Sequence, residues 1–377
     1  MAEPTHLKIL HVISGDLWAG AEMQAYTLLS SLRRLAGVEV AAAVMNEGEL
    51  TRRLRQTGVA VTVLDERHLG ARRIVGGLRE LMLRWQPDVV HSHRTKENVL
   101  ASIANRLARN VPSLRTVHGA SEHSPKGLKS KLRHAIIGRL DLWCARHVQE
   151  RVIAVSSELG KKLEAIYPRG KIVVIVNGVD VDGVLAQRGQ APFREREPGA
   201  THVGIVGRLV PVKRVDLFLR AMAGLLRDAP TRLWRFHVFG DGPLRAELAA
   251  LTETLGLVEQ VTFHGHRHDI VACMAALDVL VMCSDHEGLP MTALEAVSLG
   301  VPVVAHAVGG LVDIVPTDSL VSEHNAEGYS TAILRLLEKG SDAAAQLRQR
   351  VLEEYSCARN AERTLRLYQE LIGRTSW

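Results

Sequence analysis

Aromatic side chains are scarce in this chain, 4% of 377 residues. A stacking platform for single-stranded nucleic acid needs exposed rings, so nucleic acid is not an expected partner. Cysteine is scarce too. Cys144, Cys273, Cys283 and Cys357 are the full set, and no two stand in a Cys-x-x-Cys or other close pair. They read as reduced thiols in a cytosolic protein. Long apolar runs are missing as well. Ile9 to Ile13 is too short for a secretory signal and His11 interrupts it. The longest apolar region, Thr292 to Val315, contains Glu295, Pro302, His306 and Asp313, which excludes a membrane span. The expected location is the cytoplasm, either in solution or peripherally on the inner face of the membrane.

The length exceeds the usual size of one core, so two domains are expected. Hydrophobic residues make up 46% and charged residues 23%, as in ordinary globular proteins. The net charge of +6 fits a solvated basic surface, an anionic substrate or an anionic membrane.

Short β-branched runs alternate with amphipathic helical patterns. Leu7 to Val12, Val38 to Ala43, Val59 to Leu64, Asp88 to His91, Leu114 to Val117, Val152 to Val155 and Ile172 to Val176 read as strands. Helical stretches such as Ala21 to Arg34 and Lys96 to Arg109 lie between them. This is an α/β pattern, a parallel sheet covered on both faces. It breaks at Arg188 to Ala200, which reads RGQAPFREREPGA and whose prolines and glycines read as a linker. Strands then resume at Val203 to Val206, Phe236 to Phe239, Val261 to Phe263, Val279 to Met282 and Pro302 to Ala305. Helices Ala326 to Leu337, Ala343 to Glu354 and Ala358 to Ile372 close the chain. The expected organisation is a first domain over 1–187, a linker over 188–200 and a second domain over 201–357. The last helix, 358–377, is expected to pack back on the first domain.

Two doubly wound domains imply an active site in a cleft between them, beyond the carboxyl ends of the strands. Residues suited to chemistry do follow strands: Gly15 to Gly20, His91 and His93, His118, Gly207-Arg208, Gly240-Asp241-Gly242, His264-Gly265 and Asp285 to Gly288. Ser284 to Ala296, SDHEGLPMTALEA, carries the strongest signal. Glu287 lies in a glycine-containing loop after a strand, and Pro290 suits the first turn of a helix continued by Met291 to Leu299. The N–H groups of Gly288, Leu289, Met291 and Thr292 would be free at a positive helix end, which suits phosphate. Glu295 lies about one turn inside.

This segment resembles the Glu-x7-Glu motif of retaining glycosyltransferases of family 4, which have the GT-B fold of two Rossmann-like domains. Ile153 to Ser157 with Asn177-Gly178-Val179-Asp180, Gly207-Arg208 with Lys213, and Gly240-Asp241-Gly242-Pro243 fall in the family's order. The resemblance implies transfer of a hexosyl group from a nucleotide-sugar donor to a saccharide or lipid-linked acceptor, with retention. A UDP-sugar is the favoured donor and GDP-mannose the next. Cell-surface polysaccharide or glycolipid synthesis is the implied setting. By the same resemblance Glu287 contacts sugar hydroxyls and Glu295 the ribose. Carboxylates accept hydrogen bonds from paired hydroxyls. Arg208 and Lys213 would stabilise charge on the departing phosphate. The family generally needs no cofactor or metal, and no Asp-x-Asp pair is placed for Mg²⁺. Arg214 reads as structural or solvent-facing.

The loop Ser14 to Glu22, SGDLWAGAE, resembles the family's glycine-rich loop near donor phosphate and acceptor. Gly15 and Gly20 permit close backbone approach. Where the family often has a second glycine this chain has Ala21, which would be strained in a left-handed conformation. Asp16 and Trp18 are acceptor contacts, or loop polarity and a packed ring. His93 and Lys96 are further acceptor-side candidates. His118 matches the family's histidine near the donor sugar. His266 and Arg267 fall where the family contacts the base. A metal is the other reading of His91-Ser92-His93 and of the run His264 to Asp269, including His268, if their ligands converge. The basic segment 126–146 has Leu128, Leu132, Ile136, Ile137, Leu140 and Trp143 at helical spacing. It is either a core-facing helix or a surface for anionic lipid.

Three rivals remain. An epimerase of this fold would form product from donor alone. A starch or glycogen synthase usually carries Lys-x-Gly-Gly where this chain has Trp18-Ala19-Gly20-Ala21. A non-catalytic protein would bind donor without turnover.

Overall fold

The computed structural model describes residues 6–15, 18–119, 127–188, 196–339 and 342–373. They form two compact units, Met1–Val179 with Cys357–Trp377, and Asp180–Ser356.

The first unit has seven strands: β1 (Leu7–Ile13), β2 (Val38–Val44), β3 (Ala60–Val63), β4 (Val89–Ser92), β5 (Ser113–Val117), β6 (Arg151–Ala154) and β7 (Ile172–Val174). Their order is β3-β2-β1-β4-β5-β6-β7, and every pairing is parallel. Successive strand residues point to opposite faces, so one strand feeds two cores. Leu7, Ile9 and Ile13 join one cluster with Leu28, Leu367 and Tyr368. Leu10 and Val12 join another with Leu78, Met82 and Ala104. Burial on both faces explains the unbroken β-branched runs.

The second unit has six: β8 (Thr201–Val206), β9 (Trp234–Phe239), β10 (Val261–Gly265), β11 (Val279–Met282), β12 (Val303–His306) and β13 (Leu320–Val321). Their order is β10-β9-β8-β11-β12-β13, again parallel throughout. Its core runs from Phe218 and Met222 through Phe236 and Val281 to Tyr329 and Ile333. Strand β13 was not expected. Two residues carry no period to read.

The boundary between the units differs from the sequence expectation. The chain leaves the first unit after Val179 and rejoins it at Cys357, whose N–H donates to Val179 O at 3.0 Å. Of the 188–200 segment, Arg188 and residues 196–200 are described and belong to the second unit, while 189–195 lie outside the described residues. Arg235 Nε donates to Glu197 at 2.6 Å and Arg196 Nη2 to Asp278 at 3.2 Å. Pro198 and Gly199 here mark a connection inside that unit. The last helix, Cys357–Leu371, packs on Gly20–Leu32.

Each sheet reverses its winding once, between β1 and β4 and between β8 and β11. Such reversals splay the flanking loops apart and leave a crevice at the carboxyl ends.

Candidate active site

At the reversal in the second unit, β8 runs into Gly207 and Arg208, then a turn of 3-10 helix, Pro211–Lys213. Arg214 takes the left-handed conformation at φ 47° and opens the helix Val215–Asp228. Strand β11 supplies the other side, through Ser284 to Pro290 and the helix Met291–Leu299. Pro290 stands just before this helix rather than in its first turn. Lys213 Nζ donates to Glu287 Oε1 at 2.7 Å, and the two side chains are 19% and 9% exposed. Asp285 N–H donates to Val212 O at 2.9 Å and ties the two loops together. A small pocket lies here, lined by Gly207, Lys213, Phe239 and Ser284 among others. Arg208 is half-buried beside it. Arg214 is structural, held by Asp216 at 3.0 and 3.1 Å and by Asp285 at 3.4 Å.

The Glu287 loop is backed by glycine. A Cβ on Gly309 (φ +57°) would stand 1.9 Å from Glu287 O, and one on Gly310 2.6 Å from Gly288 O. Gly288 and Leu289 are thereby buried under the β12 loop. Among the described residues no hydrogen bond occupies the N–H groups of Gly288, Met291 or Thr292. Leu289 is engaged. Glu295 is buried on the same helix, and desolvation pushes its carboxyl up to about 7.

Other parts of this end were not anticipated. His306 Nδ1–H donates to Ser284 O at 2.9 Å, its ring stacks on His324 at 3.7 Å, and His324 Nε2 reaches Asp285 Oδ1 at 3.0 Å. Burial and His306 hold His324 below its ordinary pKa. His306 at a strand end was the signal that could have found this group. The run His264 to Asp269 does not converge. His264 turns back to His237 at 3.0 Å and onto Phe239, while His266 and His268 meet edge to face. Arg267 is clamped by Asp269 at 2.7 Å, and His266 is exposed.

In the first unit, Asp16 lies outside the described residues. Gly15 is close-packed on its own chain, since a Cβ would stand 2.7 Å from Val44 Cγ1. Gly20 has open space around it and begins the helix Gly20–Leu32. Ala21 is helical, so no left-handed strain arises there. Trp18 is a packed ring, edge-on to Tyr26 at 5.9 Å and covered by the Arg53 guanidinium at 4.5 Å. Lys96 is held by Glu66.

His118 follows β5 at the carboxyl edge. Its Nε2 is 3.2 Å from His93 Nδ1, and its Nδ1 is buried with no partner among the described residues. Desolvation, Arg94 and Arg115 lower its pKa to about 3, so it is neutral. His93, His91 and His11 are stacked beneath it with ring nitrogens close enough to suggest a metal. Every ring nitrogen of those three already has a protein partner.

The helix Leu128–His147 is not core-facing along its length. Leu132, Ile136, Leu140 and Trp143 are 61%, 51%, 45% and 54% exposed, while Asp141, Cys144 and Ala145 are buried. No helix of the described residues is long and apolar enough to cross a membrane.

Comparison with known proteins identifies the family and the fold. The family model described as Glycosyltransferase Family 4 matches residues 18–182, and that described as Glycosyl transferases group 1 matches 200–339. The 2-deoxystreptamine N-acetyl-D-glucosaminyltransferase of Streptomyces fradiae is 31% identical, over 86% of this chain and 80% of its own. The 2-deoxystreptamine glucosyltransferase of Streptomyces kanamyceticus is 30% identical, over 78% and 80%. In fold, the chain is similar to Anabaena HepE in complex with UDP, with a TM-score of 0.79 at 21% identity, covering 97% of this chain and 100% of that one. Sucrose-phosphate synthase from Thermosynechococcus elongatus gives 0.74 at 19% identity, covering 97% and 99%. The chain therefore belongs to family 4 of the glycosyltransferases and has their GT-B fold.

Proposed function

We propose that this glycosyltransferase moves a hexosyl group from a UDP-sugar to a hydroxyl of a saccharide or lipid-linked acceptor, with retention and without a metal. GDP-mannose is the second candidate donor. The ion pair of Lys213 with Glu287 carries the reading. It sets a cation and a hydroxyl acceptor side by side, next to the unoccupied N–H groups of Gly288, Met291 and Thr292. A diphosphate suits the cations and the N–H groups, and sugar and ribose hydroxyls suit Glu287 and Glu295. The UDP in the HepE complex and the UDP-Gal donor named for an Escherichia coli galactosyltransferase, 25% identical, support a UDP-sugar.

In this scheme the bond between the anomeric carbon and the phosphate oxygen breaks first, and its electron pair leaves with the nucleoside diphosphate. Lys213 and Arg208 stabilise that charge. The acceptor hydroxyl attacks from the same face, and its proton passes to the departing phosphate. His118 is assigned to the donor sugar, His266 and Arg267 to the base. Retention would require no protein nucleophile.

A panel of UDP- and GDP-sugars with saccharide acceptors tests this, read as nucleoside diphosphate release and the anomeric configuration of the product. Glu287→Gln should lower turnover at least 100-fold, on the order of one missing transition-state contact, and EDTA should leave the wild-type rate unchanged. An active Glu287→Gln variant would overturn the site assignment. Product from donor alone would favour an epimerase.

The exposed stripe Leu132, Ile136, Leu140 and Trp143 lies on a helix with Lys131, Arg133 and Arg139, which favours an acceptor held at an anionic membrane. Sedimentation with phosphatidylglycerol vesicles should be lost in a Leu132→Ser/Trp143→Ser variant. Equal sedimentation of both proteins would remove this part of the reading.

A further inference from the structure

An unbroken run of hydrogen bonds crosses the first unit beneath His118. His118 Nε2 meets His93 Nδ1 at 3.2 Å, and His93 Nε2 meets His11 Nδ1 at 2.9 Å. His11 Nε2 meets the Tyr368 hydroxyl at 3.4 Å. The same hydroxyl meets His91 Nδ1 at 2.6 Å, and His91 Nε2 meets Thr116 Oγ1 at 2.8 Å. The run joins β1, β4 and β5 to the helix Cys357–Leu371.

Burial holds His11, His91 and His93 well below their ordinary pKa, so the rings are neutral. A neutral imidazole has one N–H and one lone pair. Each ring that donates on one side must accept on the other. The direction of the whole run therefore follows from one proton, that of the Tyr368 hydroxyl.

Two observations choose the same direction. The 2.6 Å contact with His91 is short, as expected for an O–H donating to nitrogen, and the 3.4 Å contact with His11 is long. Tyr368 then donates to His91 and accepts from His11 Nε2. His11 Nδ1 accepts from His93 Nε2, and His93 Nδ1 accepts from His118 Nε2. This leaves a lone pair on His118 Nδ1. The second observation is that His118 Nδ1 is buried and has no partner among the described residues. The reverse direction would orphan a buried N–H there, which native structures tolerate less than an unfilled acceptor.

We propose that Tyr368, His11 and His93 are positioning residues. They hold the proton of His118 on Nε2 and present its Nδ1 lone pair to a hydroxyl of the donor sugar. The second half of this rests on the assignment of His118 to that sugar. The tyrosine reaches the site only through the histidines, from a helix at the far end of the chain.

Long-range ¹H–¹⁵N spectra of the full-length protein read the tautomers directly. His118, His93, His11 and His91 should all carry the proton on Nε2. An Nδ1–H tautomer at His118 or His93 in the wild-type protein would overturn the proposal, whether or not any variant folds. Calorimetry gives the second reading, with UDP-glucose and UDP as probes. Tyr368→Phe should return a mixed tautomer at His118 and weaken UDP-glucose about tenfold while leaving UDP unchanged, a loss on the order of one hydrogen bond. Equal weakening of both probes would mean structural damage and reject the positioning role. An unchanged tautomer in Tyr368→Phe, together with a His118→Ala variant that loses UDP-glucose selectively, would reject it too. Full UDP-glucose affinity in His118→Ala would instead sink the sugar assignment beneath the proposal.

Discussion

Glu287 and Glu295 stand on one loop and helix, yet their carboxylates meet opposite conditions. Glu287 has Lys213 at 2.7 Å. Glu295 is buried with no hydrogen-bond partner among the described residues, and its carboxyl is raised to about 7. A carboxyl raised from 4.5 to about 7 on folding keeps its proton in the folded state while the unfolded chain loses it. Stability contributed by this group is therefore lost as pH rises through that window and stays lost above it. Glu295→Gln removes the titration. Relative to wild type, the variant should gain up to about 3 kcal/mol between pH 4.5 and pH 8 in the absence of ligand. Urea unfolding at both pH values measures it. A stability difference that does not change with pH would remove the account. The same variant should bind a UDP-sugar more weakly at pH 8, since an amide replaces an ionised acceptor. Both glutamates were legible in the sequence because they share one short motif. Tyr368 was not, because its partner His11 lies 357 residues away and nothing local links the two.

Loops at strand ends carry the site, and glycines set how closely they approach. Gly309 combines a left-handed φ of +57° with contact on Glu287 O. Gly256 has φ +69° and open space around it. Alanine at either position incurs the backbone strain of about 1 kcal/mol. Only at Gly309 must the Glu287 loop also move. Gly309→Ala should therefore lower the melting temperature more than Gly256→Ala, and it alone should weaken UDP binding. Equal UDP affinities in the two variants would show that the Gly309 contact does not shape the site. Elements were largely readable. The helix Met291–Leu299 begins and ends where the sequence placed it, and the earlier strands shift by one or two residues. Burial on both faces gives such strands a plain hydrophobic signature. The boundary at Val179 was not readable, because Ile175 and Val179 are as apolar as the segment beside them. The polar 188–200 segment drew the eye instead. Composition reports polarity, and a polar connection need not separate two cores. The segment 126–146 is the same problem in reverse, since helical spacing of apolar residues does not say whether another element covers them.

At the scale of the molecule, the chain is discontinuous in its first unit. Residues up to Val179 fold together with Cys357–Trp377. Ala361, Leu367 and Tyr368 are 1%, 3% and 0% exposed in that core. Asn360 binds Gln24 at 3.1 Å and Val176 O at 2.5 Å. Loss of a buried leucine side chain alone costs about 2–5 kcal/mol, and a domain has only about 5–15 kcal/mol in total. A chain ending at Ser356 should thus lose its first unit. The second unit keeps its own sheet and core within residues 201–339 and should remain folded. Hydrogen exchange of the shortened chain separates the two outcomes. Peptides from β1, β2 and β4 should exchange rapidly, while those from β8, β9 and β11 stay protected. UDP should still protect the loop at Glu287, because Lys213 and the N–H groups of Gly288, Met291 and Thr292 all belong to the surviving unit. Protection of β1 and β4 in the shortened chain would show that the last helix is an accessory, and that the first core closes without Tyr368.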